Sequence, residues 1–347
     1  MRPPNTSAGP TRPPSELSGL LPHKWGTRPQ TSTSRGLSTP LRGVMKRVAL
    51  IIASAIALVL PLLVVSGPPA QATTYTKTVR YGPFTIPGGS DTDPGMIHNQ
   101  LRFAVSRPCL DCYITSFSPD LVYADGTRAT MATGPMLHHV VFTSQFRSDA
   151  TCSGTWLGLA GERFFASGNE RTKVALPTGY GYRVRWYDSW NMLVDLMNHS
   201  TSDKTVYVQV TYTYRPSWEN VQRVRPVWLD IDQCGDSEYS IPAGYSEATW
   251  DWTVNVPGKV VAMLGHVHGH GVAVEATNES EDGDVICRSD ATLDPMDVHS
   301  VSSMSTCSGD PVAEVTSGQT VRLHSFYNST HPADDVMGIM LGYINPS

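Results

Sequence analysis

YVQVTYTY, residues 207–214, alternates between apolar or aromatic and polar positions. A period of two is the signature of a half-buried strand. KVVAMLGHVHGHGVAVEA (259–276) is a longer β-rich run, enough for a hairpin or two strands. TVRLHSFYN (320–328) and VMGIMLGYI (336–344) read as strands too. Turn formers cluster between such runs, as in FTIPGGSDTDPG (84–95), SPDLVYADGT (118–127) and NESEDGD (278–284). Long amphipathic helical patterns are absent. Many short strands with frequent turns predict an all-β fold of two jelly-roll-like antiparallel β-sandwich domains. RPSWENVQRVRP (215–226) breaks the strand pattern near the middle. The sandwiches are therefore expected at 73–216 and 226–347, with a linker at 217–225.

The first 72 residues change the picture of the whole chain. Residues 1–44 are rich in Pro, Ser, Thr, Gly and Arg and read as disordered. A basic start at Lys46 and Arg47, an apolar run from Val48 to Val65, and the small-residue site Ala70-Gln71-Ala72 follow. This three-part pattern is that of a secretory signal peptide at about 45–72, with translation starting at Met45. The alternative is an uncleaved membrane anchor, but Pro61 and the small-residue site favour cleavage after Ala72. The protein is thus expected outside the cell, with no stable membrane partner after cleavage. The whole chain carries a formal charge of −5, and residues 73–347 carry 18 basic against 30 acidic side chains, a net −12. Such an acidic chain repels phosphate backbones, so no nucleic-acid partner is expected.

All six cysteines fall after residue 72, at 109, 112, 152, 234, 287 and 307. Export makes disulfides the first reading, and Cys287 with Cys307 is the favoured pair. Cys109-Leu-Asp-Cys112 could instead serve zinc or redox chemistry, but no second CxxC accompanies it.

The histidines carry the candidate chemistry. In GHVHGHG (265–271), His266, His268 and His270 occupy alternate positions between glycines. Residues i, i+2 and i+4 of a strand share a face, so His266 and His268 can present two imidazoles to one ion. In GPMLHHVVFTS (134–144), His138 and His139 are adjacent and would point to opposite faces of an ideal strand. A local bulge, with one ring using Nδ1 and the other Nε2, would let both coordinate. His199 ends an apolar segment before a turn, and Met337 and Met340 lie in a strand-like run where methionine usually packs a core. Bland readings stand beside these: a solvated strand face for the alternating triple, and one core and one surface histidine for the pair.

Together these motifs resemble the copper type II, ascorbate-dependent monooxygenases, the family of peptidylglycine α-hydroxylating monooxygenase and dopamine β-monooxygenase. The resemblance spans roughly 108–344, with the motifs in the family's order. HHVVF resembles the first ligand pair of the electron-storing copper, His138 and His139. LPTGYGYRVR (176–185) resembles the segment preceding that copper's third histidine, matched here by His199. VVAMLGHVHGHG resembles the HxHxxG motif of the catalytic copper, giving His266 and His268, and DDVMGIMLGYI supplies its methionine, Met337. The resemblance implies two coppers per chain, one in each sandwich facing a cleft. It also implies ascorbate as electron donor and O2 with a small-molecule substrate that is hydroxylated at an activated C–H bond. The donor types suit copper: imidazole favours Cu(II), thioether favours Cu(I), and a thioether would be an odd choice for zinc.

Departures bound the inference. The arginine that grips a peptide carboxylate in the peptide-amidating branch is replaced by Leu264, and that branch's Asn and Tyr after the methionine by Ile339 and Leu341. A peptidylglycine substrate is therefore not expected. The cysteine that follows the methionine in the family is Gly338 here, and LHSF (323–326) lacks its partner. His270 is expected to support the site or face solvent, and His98, His299, His324 and His331 to be surface or structural. The competing functions are a non-catalytic copper-binding or copper-delivery protein and a metal-free adhesive or carbohydrate-binding sandwich.

Overall fold

The computed structural model describes residues 73–90, 92–152, 155–156, 159–294 and 297–347. The expected disordered leader and signal peptide, 1–72, lie outside the described residues. Among the described residues the regular structure is β throughout, except for one 3-10 turn at Met131–Thr133. No helix among them is long and apolar enough to cross a membrane.

The alternating segment 207–214 lies in the strand Lys204–Pro216, with Val206, Val208, Val210 and Tyr212 turned inward. Tyr75–Ile86 and Cys112–Val122 flank it in antiparallel register. This trio starts a large sheet that continues through Tyr180–Val184, Gln222–Asp230, Gly338–Pro346, Gly258–Val267 and Thr306–Val315. Pairing between Tyr180–Val184 and Gln222–Asp230 is parallel. The strand Gln222–Asp230 starts inside the segment expected to act as a linker, so the two halves of the chain share one sheet.

Two smaller sheets pack on this one. The first holds Gly95–Val105, Trp190–Asn198, Pro135–Ser144 and Glu162–Ser167. Its core against the large sheet is aromatic, with Phe117 stacked on Phe165 at 4.7 Å and Phe164 on Tyr182 at 4.7 Å. Full burial of each such ring stabilises by about 1.5–3 kcal/mol. The other sheet holds Gly244–Thr253, Thr320–Ser329, Gly271–Asn278, Asp284–Asp294 and Asp297–Met304. Its core takes in Leu323, Val274 and Tyr327 together with Met263, Met340 and Ile344 of the large sheet.

The strand Gly338–Pro346 therefore has two apolar faces. Ile339, Leu341 and Tyr343 join the first core, and Met340 and Ile344 join the second. A strand covered on both sides should read as a continuous apolar run, and GIMLGYI does. The run 259–276 behaves differently. It splits into Gly258–Val267 in the large sheet and Gly271–Asn278 in the five-stranded one. The chain changes layers at His268–His270, where His270 takes a positive φ of 66°.

Three disulfides join Cys109–Cys112, Cys152–Cys234 and Cys287–Cys307. The favoured pair is present, and the CxxC is a disulfide.

Candidate metal centre

His138 and His139 sit in Pro135–Ser144, next to Trp190–Asn198. Asp195 faces His139, while the next residue, Leu196, faces Leu137. His138 is thus the extra residue of a bulge, and the local kink re-aims the side chains. Their ring centroids lie 4.1 Å apart. His266 lies near the end of Gly258–Val267, with Ile339 opposite it. His268 follows where the chain leaves the large sheet. Tyr327 holds this corner: its hydroxyl accepts the His268 N–H at 2.8 Å and donates to the Met337 carbonyl.

These four imidazoles converge. His139 lies 5.0 Å from His268 and 5.1 Å from His266, centroid to centroid, and His138 lies 5.1 Å from His268. Donor atoms of His138, His139 and His268 all fall within 4.8 Å of one another. The expectation of two separated ligand sets differs from this arrangement, because histidines from both sets meet in one cluster. His199 borders a cavity of about 380 Å³ on one side, shared with His138, His266, His268 and His270. Met337 lines a second cavity of about 460 Å³, shared with His138, His139 and His266. Met337 occupies the break between Ala333–Val336 and Gly338–Pro346 rather than the middle of one strand.

Hydrogen bonding fixes which ring nitrogens face inward. His268 Nδ1 lies against the Asp335 carbonyl, which can only accept, so Nδ1 carries the proton and Nε2 keeps its lone pair. Glu170 Oε1 stands 3.3 Å from His266 Nδ1 and also accepts the Gly168 N–H at 2.8 Å. Asp195 Oδ2 faces His139 Nδ1 at 3.7 Å. Carboxylate and carbonyl partners of this kind orient metal-ligating imidazoles. Burial, and then the neighbouring rings, hold His138, His139 and His268 well below the usual histidine range, so they are neutral. Burial raises the Glu170 carboxyl, but the His266 ring and the Gly168 N–H outweigh it and leave it below its ordinary value.

A cation suits this geometry. The Nε2 atoms of His139 and His268 meet at 2.8 Å. One proton on His139 would satisfy that pair alone. His138 Nδ1 and His266 Nε2 would remain buried without a hydrogen-bond partner, a costly state for polar atoms. Donor atoms of His138, His139 and His268 lie close enough together to share one ion, with the His266 ring beside them.

The larger cavity has one wall of imidazoles and another of apolar groups, including Val141, Leu193, Trp228, Leu264, Ile339 and Leu341. Three of the positions that departed from the monooxygenase pattern, Leu264, Ile339 and Leu341, therefore line this space. Asp195, Asp236, Glu238 and Asp335 also border it, and no Lys or Arg does among the described residues. Burial, then repulsion from Asp236, Asp335 and Asp195, raises the Glu238 carboxyl.

Glu170, Asp195 and the Asp335 carbonyl escaped sequence reasoning, as did His98, which borders the larger cavity. Glu170 sits in a turn with no local signature. Asp195 becomes visible only when its strand is registered against His139. His324 lies apart, held by Glu247 and Thr277. His331 is exposed, and His299 lies in Asp297–Met304, its side chain outside the described residues.

The family model SURNod19, described as stress up-regulated Nod 19, matches residues 166–345. "Probable copper-dependent oxygenase M1" of Phoma sp. is 29% identical over 291 residues, covering 77% of this chain and 72% of that protein. "Probable copper-dependent oxygenase clz3" of Cochliobolus lunatus is 28% identical over 249 residues, covering 65% of this chain and 77% of that protein. These matches reach copper-dependent oxygenases by name, without reaching the peptidylglycine and dopamine monooxygenases that the motifs resemble. Among solved structures, the major capsid protein P2 of bacteriophage PM2 aligns with 79% of this chain and 98% of its own. Its TM-score is 0.30 at 10% identity, a likeness that carries no argument.

Proposed function

The chain belongs to the SURNod19 family, stress up-regulated Nod 19, and from that premise we propose that it is an exported copper-dependent oxygenase acting on a small apolar substrate. The observation that carries this reading is the imidazole cluster: four rings, buried ring nitrogens lacking partners, and a neighbouring apolar cavity. The named copper-dependent oxygenases among its relatives support the choice of metal. So does the donor set, since imidazole sites favour Cu(II) among the divalent ions. The three disulfides agree with an oxidising compartment.

His138, His139, His266 and His268 would hold the copper, which would supply one-electron redox chemistry for a monooxygenation in which one oxygen atom of O2 enters a C–H bond and the other leaves as water. An external reductant such as ascorbate provides the electrons. The chain's own residues do the positioning. Glu170 and the Asp335 carbonyl hold the Nδ1 sides of His266 and His268, so both Nε2 atoms face inward. Asp195 lies near the Nδ1 side of His139 at 3.7 Å, beyond hydrogen-bond distance. Tyr327 ties the backbone of His268 to that of Met337, fixing the corner beside the cavity. Leu264, Ile339 and Leu341 exclude water from the reacting region and offer nothing to a substrate carboxylate. With Asp236 and Glu238 at the same cavity, an anionic substrate is disfavoured, which rules against a glycine-extended peptide. The reading assigns one copper to the cluster. The second copper implied by the motif resemblance would require His199 or Met337 to recruit histidines already engaged there.

Metal analysis of the purified protein, with oxygen uptake under ascorbate, tests this. One tightly held copper per chain is expected, lost in His139→Ala and in His268→Ala, together with product containing one added oxygen atom. Copper retained by both variants would sink the site. Copper binding with no substrate-dependent oxygen uptake across apolar substrates would leave a copper-binding or delivery protein instead.

A further inference from the structure

Two Arg-Val-Arg tripeptides stand in the sequence, at 183–185 and 223–225. Neither takes part in the imidazole cluster. Their strands, Tyr180–Val184 and Gln222–Asp230, pair in parallel, with Arg223 beside Gly181 and Val224 beside Tyr182. Alternation sends Val184 and Val224 into the core, where both are buried. It sends Arg183, Arg223 and Arg225 the other way, and Arg185 follows just past the end of its strand. Arg147, just beyond the strand Pro135–Ser144, adds a fifth. All five line one open groove of about 300 Å³, with Phe146 at its side.

Like charges on neighbouring strands destabilise a sheet, so their compensation matters. Arg147 pairs with Asp188 and Glu162, Arg185 with Asp188, and Arg183 with Asp111. Arg225 reaches Glu162 only at 3.9 Å, and Arg223 has no acidic partner among the described residues. Five guanidinium groups thus face three carboxylates, an excess of two positive charges. They gather in a chain whose residues 73–347 carry −12.

We infer that this groove binds an oxyanion ligand carrying two phosphate or sulfate groups. Guanidinium forks match such oxygens in bidentate fashion. The charge excess matches a pair of them, and the volume falls at the lower end of small-ligand sites, about 300–1,000 Å³. The arginine side chains at 147 and 183 are only 11% and 21% exposed. Recessed cations of this kind suit a small ligand entering the groove better than a flat lipid surface. Phe146, 63% exposed, offers a ring face to whatever carries the anions. The groove lies past the far end of the strand that bears His139, which is roughly 17 Å of chain away at Ser144. Its occupant does not touch the imidazoles.

Calorimetric titration of the full-length, copper-loaded protein with inorganic pyrophosphate, and separately with a disulfated disaccharide, tests the inference. Saturable one-to-one binding of at least one probe is expected, and the tighter of the two identifies phosphate or sulfate as the natural group. Arg223→Ser combined with Arg225→Ser should weaken that binding about tenfold or more and leave copper content unchanged. Arg223→Glu, at an exposed position, keeps the test independent of folding and should abolish binding. Failure of both probes to bind, or undiminished binding in Arg223→Glu, overturns the inference whatever becomes of the oxygenase reading.

Discussion

Arg163 and Asp149 meet at 2.9 Å with their side chains almost wholly buried. Asp149 also accepts the backbone N–H groups of Thr151, Cys152 and Arg163. Burial alone would raise its carboxyl, but Arg163 and these donors outweigh burial and leave it below the ordinary aspartate value. Asp149→Ala removes the carboxylate paired with a buried guanidinium and should cost about 3–5 kcal/mol, read from denaturant unfolding. The sign of the pH dependence follows from the lowered value. The carboxylate's contribution is complete above the unfolded pKa of 3.8 and is lost as pH falls through the lower folded value. The stability gap between the native protein and Asp149→Asn should therefore be constant at neutral pH and close only in strong acid. Glu170 makes a different prediction, because it acts through His266. Glu170→Leu should weaken copper binding about 10–100-fold in a chelator competition, whereas Glu170→Gln, which keeps an acceptor oxygen, should lose less. A copper affinity untouched by Glu170→Leu would remove the residue from the site.

Strands place the ligands. A Cβ built on Gly265 would lie 2.3 Å from Val274 Cγ2 and 2.8 Å from the Ser289 side chain. The large sheet and the five-stranded sheet are in close contact at this residue, one position before His266. Gly265→Ala should cost about 1–3 kcal/mol by overpacking and move His266, so thermal unfolding and the spectrum of bound Cu(II) should change together. Much at this scale was legible in the sequence. Alternation in 207–214 revealed a half-buried strand. The adjacency of His138 and His139 left a bulge as one of two readings, and it is there that the register with Trp190–Asn198 shifts. The change of layer at His268–His270 was not legible, because a run of apolar residues looks the same whether it stays in one sheet or leaves it. Met337 read as mid-strand for the same reason. Asp195 meets His139 across 56 positions of sequence and Glu170 meets His266 across 96, which no local spacing encodes.

At the scale of the molecule, the sequence described two halves, each with its own histidine motif. What it omitted is how the halves are joined. Gln222–Asp230 lies between Tyr180–Val184 of one half and Gly338–Pro346 of the other, so a single sheet runs through both. The histidine motifs meet because that sheet brings Gly258–Val267 beside the strand pair that carries His138 and His139. Three-dimensional register, rather than the motifs themselves, makes one cluster of them.

A shared sheet also decides what happens when the chain is cut. In a fragment comprising 226–347, Leu264, Ile339, Leu341 and Tyr343 would lose the aromatic layer that now shields them. Each such side chain turned to water forfeits about 1.5–3 kcal/mol, and together they would leave a greasy, self-associating flank. Expressed alone, that piece should sediment as aggregates, and mixing it with residues 73–225 should restore solubility and metal uptake at once. Neither half of this protein should behave as a portable module, because the sheet that each would need for its core is built from both.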